Sequence, residues 1–149
     1  MIRKISVIMI VAMTSLAAMA QTPITVRWDM GQNNAEPGYY SSKFIIKNIS
    51  GKPLENNWMF FFNQFSRKMK LSPTSPVDID EVSTTYYRVK PNERYNAIAD
   101  GDSLVIDVMM KGTFVNLWYA PAGGHVVFDG DTHHPIVTTI ERSELKQMG

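Results

Sequence analysis

After the first twenty residues, apolar and polar positions alternate in short runs with a period of two. In "SLVIDVMMK", Leu104, Ile106, Val108 and Met110 fall on one face, and Val105, Asp107, Met109 and Lys111 on the other. Alternation of this kind describes a strand with one face in a core. No window of about twelve residues keeps a 3.6-residue period, so the pattern argues against helices. The expected strands are Ile24–Trp28, Lys43–Ile49, Trp58–Phe65, Thr84–Lys90, Ser103–Lys111, Val115–Tyr119, His125–Phe128 and Ile136–Ile140. Between them lie clusters of Gly, Pro, Asn and Asp, the residues that close turns. About eight short strands at this spacing predict an all-β fold, an antiparallel β-sandwich.

The stretch "NNWMFFFNQFSRKMK" departs from simple alternation. Trp58, Phe60 and Phe62 share one strand face and are expected in the core. Met59, Phe61 and Phe65 lie largely on the other face, which is therefore apolar too. A strand apolar on both faces is covered on both. In a two-layer sandwich the second cover is a loop or another domain, which makes Met59 and Phe61 candidate partner-docking residues. The bases Arg67, Lys68 and Lys70 follow the run, where charges act as solubilising gatekeepers. Alternation elsewhere leaves Trp118 and Tyr86 as the aromatics expected partly outside the core.

The start of the chain changes the picture of where the protein works. Arg3 and Lys4 precede an apolar run from Ile5 to Leu16, and Ala18-Met19-Ala20 follows as a small-x-small site. That is the three-part layout of a secretory signal cleaved after Ala20. The run is shorter than the roughly 20 residues that span a bilayer. The expectation is export to a periplasm or beyond, with no membrane contact after cleavage. The domain is then residues 21–141, and 142–149 ("RSELKQMG") reads as the start of a linker or tail.

Cleavage removes Arg3 and Lys4, so the 15 Lys and Arg become 13 against 14 Asp and Glu. A near-neutral chain lacks the basic excess that phosphate backbones require, and no nucleic-acid partner is expected. There are no cysteines. The domain must therefore be held by packing rather than disulfides, and thiolate metal sites and cysteine nucleophiles are excluded.

Little else in the sequence resembles catalytic machinery. Asp78, Asp80 and Glu81 in "DIDE" are the one tight carboxylate cluster, of the kind that hydrolyses glycosides when a pair flanks the bond. Following "SPTSP", the segment reads as a solvated loop. Asp100, Asp102, Asp129 and Asp131 offer oxygen ligands of the type calcium takes, yet "ADGD" and "DGD" are ordinary turn sequences. His133 and His134 are adjacent and point apart in an extended chain, and His125 is isolated. No metal and no cofactor is expected.

Three segments in order carry a resemblance: "NWMFFFNQFSRK", "GDSLVIDVMMKG" and "LWYAPAGGHVVFDG". With the earlier turn Asn48-Ile49-Ser50-Gly51-Lys52-Pro53-Leu54, they resemble the N-terminal carbohydrate-binding-like domain of chitobiases and related β-N-acetylhexosaminidases of glycoside hydrolase family 20. The match runs from about Ile24 to Ile140. It departs where the family has an "N-G-D" turn and this chain has "EVSTTYY". The resemblance implies a non-catalytic β-sandwich module beside a catalytic (β/α)₈ barrel, with a glycan and a glycoside hydrolase domain, in cis or in trans, as partners. Asp80-Glu81 is not the family's catalytic pair, which belongs to the barrel.

Two functions follow from these readings. In the first, the module binds glycan weakly through aromatic rings flanked by amides and charges. The candidate ligand-binding residues are Trp118 with Asn116, Tyr86 with Arg88, and Tyr39 with Tyr40 in a Gly-bounded loop. In the second, the module is a scaffold that docks on a catalytic domain through Met59 and Phe61. A third reading, hydrolysis by Asp78, Asp80 and Glu81, has only that cluster behind it.

Overall fold

The computed structural model describes residues 22–142. The expected signal, its cleavage site and the tail from Ser143 lie outside the described residues. Among the described residues ten strands, against the eight expected, form two facing sheets. The strands are β1 (Ile24–Met30), β2 (Tyr39–Asn48), β3 (Trp58–Asn63), β4 (Met69–Leu71) and β5 (Val77–Ser83), followed by β6 (Tyr86–Pro91), β7 (Ser103–Lys111), β8 (Ala122–Phe128), β9 (Ile136–Val137) and β10 (Ile140–Arg142). One sheet has the order β10-β1-β2-β7-β4 and the other β5-β6-β3-β8-β9. All neighbours run antiparallel except β1 and β10, which are parallel. Among the described residues no helix is long and apolar enough to cross a membrane.

The core lies between the sheets and is built by the inward half of each alternation. Ile106, Val108 and Met110 are buried on β7, and Tyr40, Phe44 and Ile46 on β2. Trp58, Phe60 and Phe62 face them from β3, with Phe62 against Phe44 at 5.1 Å and against Tyr87 at 5.4 Å between ring centroids. Aromatic pairs at such separations add to the area they bury. Asn48 closes β2 as a fully buried amide with every hydrogen-bonding role filled. Its Nδ2 donates to the carbonyls of Lys52 and Ile98, and its Oδ1 accepts from the backbone N–H and hydroxyl of Ser50.

Several expectations are corrected here. Val115–Tyr119 is not a strand. The Asn116 side chain accepts from the N–H of Trp118, and the N–H groups of Tyr119 and Ala120 bond back to Asn116 and Leu117. These local bonds wind Leu117–Tyr119 into a single 3-10 turn, the competition with extended backbone that Asn side chains offer. "DIDE" is not a solvated loop but part of β5, the edge of its sheet. Its carboxylates are the charges that discourage a further strand from pairing there. β4 lies outside the strands that the alternation predicts.

Tyr39 and Tyr40 open β2 rather than sitting in a loop. Tyr40 is fully buried, packs on Phe114 at 5.6 Å and directs its hydroxyl at Met110 Sδ. That removes it from the ligand-binding candidates. The bases after β3 do more than solubilise. The Arg67 guanidinium lies over the rings of Tyr119 at 4.8 Å and Tyr40 at 5.6 Å and donates to the Lys111 carbonyl. It fills the space beside Gly112, where φ is +113° and an added Cβ would collide with the guanidinium.

Candidate functional site

The outer face of the second sheet holds the most organised group of exposed-side residues. Register places Asp80, Arg88, Phe61, His125 and Val137 in one row across its five strands. Tyr86 begins β6 and pairs with Asn63, the last residue of β3. All of these point away from the core, because their strand neighbours Phe60, Phe62, Tyr87, Val89 and Val126 point into it.

Three rings in this group form a two-storey platform. Phe61 is nearly parallel to His125 (9°, centroids 5.0 Å apart) and to Tyr86 (17°, 5.5 Å). Tyr86 and His125 are 6.2 Å from each other. Rings on opposite faces of a third ring would stand at least about 7 Å apart, twice a contact distance of about 3.5 Å. Both therefore lie on the same face of Phe61. The Tyr86 hydroxyl is 3.1 Å from His125 Nε2, which joins the two upper rings edge to edge.

Phe61 is the floor, 7% exposed, and half-buried Tyr86 and His125 are the roof. This corrects the docking expectation for Phe61: its cover comes from its own sheet, not from a partner domain. Met59, next in its strand's outward set, is half-buried.

Burial sets the chemistry of the roof. It holds the Tyr86 hydroxyl above the usual phenol range and His125 below the usual imidazole range, as desolvation does to any group that would have to carry charge. Near neutral pH both groups are thus uncharged, and the Tyr86 hydroxyl and His125 Nε2 share one hydrogen bond whose donor is set by the imidazole tautomer. The roof is an uncharged, hydrogen-bonded surface of two rings. Its rim is polar: Arg88 Nη2 donates to Asp80 Oδ2 at 3.0 Å, Lys90 Nζ lies 3.8 Å from the same oxygen, and Asn63 is exposed beside Tyr86.

The other candidates are placed apart from this group. Trp118 is 79% exposed on the 3-10 turn, with Asn116 serving as the cap of that turn. Asn116 holds the backbone that presents the indole, so its amide oxygen is already engaged. Val115 and Leu117 are exposed on the same loop, and Phe65, exposed on the β3–β4 connection, packs on Tyr119 at 5.5 Å. Tyr39 is half-buried, and the Lys70 ammonium sits over its ring at 4.1 Å while bonding to Glu36. One face of that ring is thus occupied.

The carboxylates of β5 are also partnered. Asp80 binds Arg88, Glu81 accepts from Ser66 Oγ at 2.8 Å, and Asp78 accepts from Asn92. Among the described residues no group of three or more His, Cys, Asp and Glu is placed to hold a metal ion.

Sequence reasoning named Tyr86 and Arg88 and missed His125. The missing step was register: only the pairing of Phe61 with His125 brings an isolated histidine against two aromatics. The alternation of His125 and Val127 with Val126 and Phe128 already carried half of that signal.

Comparison with solved structures finds several proteins of the same architecture. An exo-β-N-acetylglucosaminidase of glycoside hydrolase family 20 from Vibrio harveyi superposes with a TM-score of 0.59 at 14% identity, over 82% of this chain. The chain spans only 18% of that enzyme. A family 3b carbohydrate-binding module from the cellulosomal cellobiohydrolase 9A of Clostridium thermocellum superposes at 0.54 and 10% identity, covering 79% of this chain and 97% of the module. A biomass-sensing module from an RsgI-like protein of the same organism gives 0.51 and 12%, covering 83% and 100%. The likeness is one of fold. No protein-family model and no curated protein matches the chain in sequence.

Proposed function

We propose that this domain is a non-catalytic glycan-binding module that works after export, and that the Tyr86–His125 platform is its binding surface. The observation that carries the reading is the pair of uncharged rings, joined edge to edge over Phe61, with hydrogen-bonding groups around them. A pyranose offers axial C–H groups on its faces and hydroxyls at its edge. A pair of uncharged rings inclined at 25° to each other, bordered by Arg88, Asp80 and Asn63, offers partners to both. One structural neighbour is a carbohydrate-binding module, a second is a biomass-sensing module that resembles one, and a third is an N-acetylglucosaminidase. These support a sugar ligand, and β-linked N-acetylglucosamine polymer is the first to test.

Retention of the mature protein on insoluble chitin and cellulose tests the reading. Wild type should be retained on at least one, and Tyr86→Ala and His125→Ala should wash off while remaining folded. Equal retention of both variants would remove the platform from the function.

A second reading has an observation of its own. Val115, Leu117, Trp118 and Phe65 cluster on two touching loops, and Arg142, the last described residue, directs Nη1 at the Leu117 carbonyl. A domain continuing from Arg142 would begin beside this apolar group. In that reading docking uses the Trp118 loop, not Met59 and Phe61.

A further inference from the structure

We infer that ligand binding at the platform is linked to the proton on His125: the site takes its sugar with the imidazole neutral, and a protonated His125 must release its proton for the sugar to dock. The inference rests on the glycan-binding reading and adds its regulation.

The geometry leaves His125 few ways to support a charge. Its lower face is closed by Phe61 at 5.0 Å, and at Nε2 it meets a neutral hydroxyl, that of Tyr86 at 3.1 Å, rather than a carboxylate. The groups around it come from every strand of the sheet. β3 brings Phe61, β9 brings Val137, and β6 brings Tyr86 and, across Phe61, the cation Arg88. β5 brings Asp80, three strands away and already bonded to Arg88 and Lys90. No carboxylate faces the imidazole among these, and the one permanent charge on its side of the ion pair is positive.

An imidazolium here would depend on water at its upper face and at Nδ1. A sugar lying on the roof displaces the water above the ring. Removing hydration disfavours the charged form, which is why burial already holds this histidine below the usual imidazole range. Protonation would also fix the direction of the edge bond, with Nε2–H donating to the Tyr86 oxygen.

Linkage makes the coupling reciprocal. Bound sugar lowers the proton affinity of His125 by the same factor by which the proton lowers the affinity for sugar. With one proton released, affinity falls up to about tenfold per pH unit below the free-protein midpoint, until the midpoint of the complex is reached.

The test uses the mature protein with chitohexaose and cellohexaose as separate soluble probes. The His125 ring resonance is followed from pH 8 to pH 4, with and without sugar, and assigned against a His125→Gln sample. Sugar should shift the His125 midpoint down, and the Kd should rise as pH falls through the free midpoint. A hexaose that binds with one Kd from pH 8 to pH 5, with the His125 midpoint unmoved, overturns the linkage and leaves the glycan reading standing. Failure of both hexaoses to bind at pH 8 overturns both.

Discussion

The ring of Phe61 lies 5.0 Å from that of His125 and within 9° of parallel to it, so a histidine covers the outward aromatic of a strand whose other face is already buried. The contact makes Phe61 a support rather than a sticky surface. Phe61→Ser should therefore destabilise the domain, by about 3 kcal/mol, from lost burial and the cavity under the roof. Urea unfolding of the two proteins checks this. If Phe61 were a docking residue, the variant would instead gain solubility with an unchanged midpoint.

The two faces of β3 show how far alternation reaches. Period-two phasing correctly put Trp58, Phe60 and Phe62 inside and Phe61 outside, and it read β7 from Ser103 to Lys111 without error. Phase is a property of one strand, and so it is written in the local sequence. What covers Phe61 depends on which residue of β8 lies beside it, and that register is set by distant turns. The Trp118 loop failed for the opposite reason. "VNLWY" alternates well enough for a strand, but one Asn side chain bonding to the backbone two residues on is sufficient to wind it into a turn. The exposure expected for Trp118 survived this error, because a turn projects its indole as effectively as an outer strand face.

The same histidine gives stability a pH dependence of known sign. His125 is below its ordinary value of 6.5 when folded. As pH falls through 6.5, the unfolded chain takes up the proton first and stability falls. The contribution is complete above about pH 6.5 and is lost between that value and the lower folded midpoint. Urea midpoints measured from pH 8 to pH 5 should decline more steeply for wild type than for His125→Phe. Parallel curves would mean that the folded histidine titrates as it does in the unfolded chain.

The turn motif at Asn48 makes a separate demand. Its Nδ2 donates to the Lys52 carbonyl at 2.7 Å and the Ile98 carbonyl at 2.9 Å, in a fully buried position. Asn48→Asp keeps the shape and the acceptor for Ser50 but sets carboxylate oxygen against two carbonyl oxygens. A buried unsatisfied acceptor costs about 1–3 kcal/mol, and a charged one more. The variant should lose at least about 3 kcal/mol at pH 8 and recover part of it at acid pH, where the carboxyl can donate one proton. Equal loss at both pH values would place the cost in the turn backbone instead.

Trp118 should behave in the opposite way. Trp28 and Trp58 are 2% and 1% exposed, whereas Trp118 is 79% exposed. Its backbone N–H, not its indole, makes the contact that orders the turn. Trp118→Ala should change stability by no more than about 0.5 kcal/mol, the range for surface positions without a structural role. Acrylamide should quench mainly this residue in the native protein, and the variant should lose most of that quenching. The two proposed uses of the loop then separate. If its indole joins the glycan surface, chitohexaose should protect Trp118 from acrylamide. If it serves a neighbouring domain, saturating sugar should leave quenching unchanged while the His125 resonance shifts.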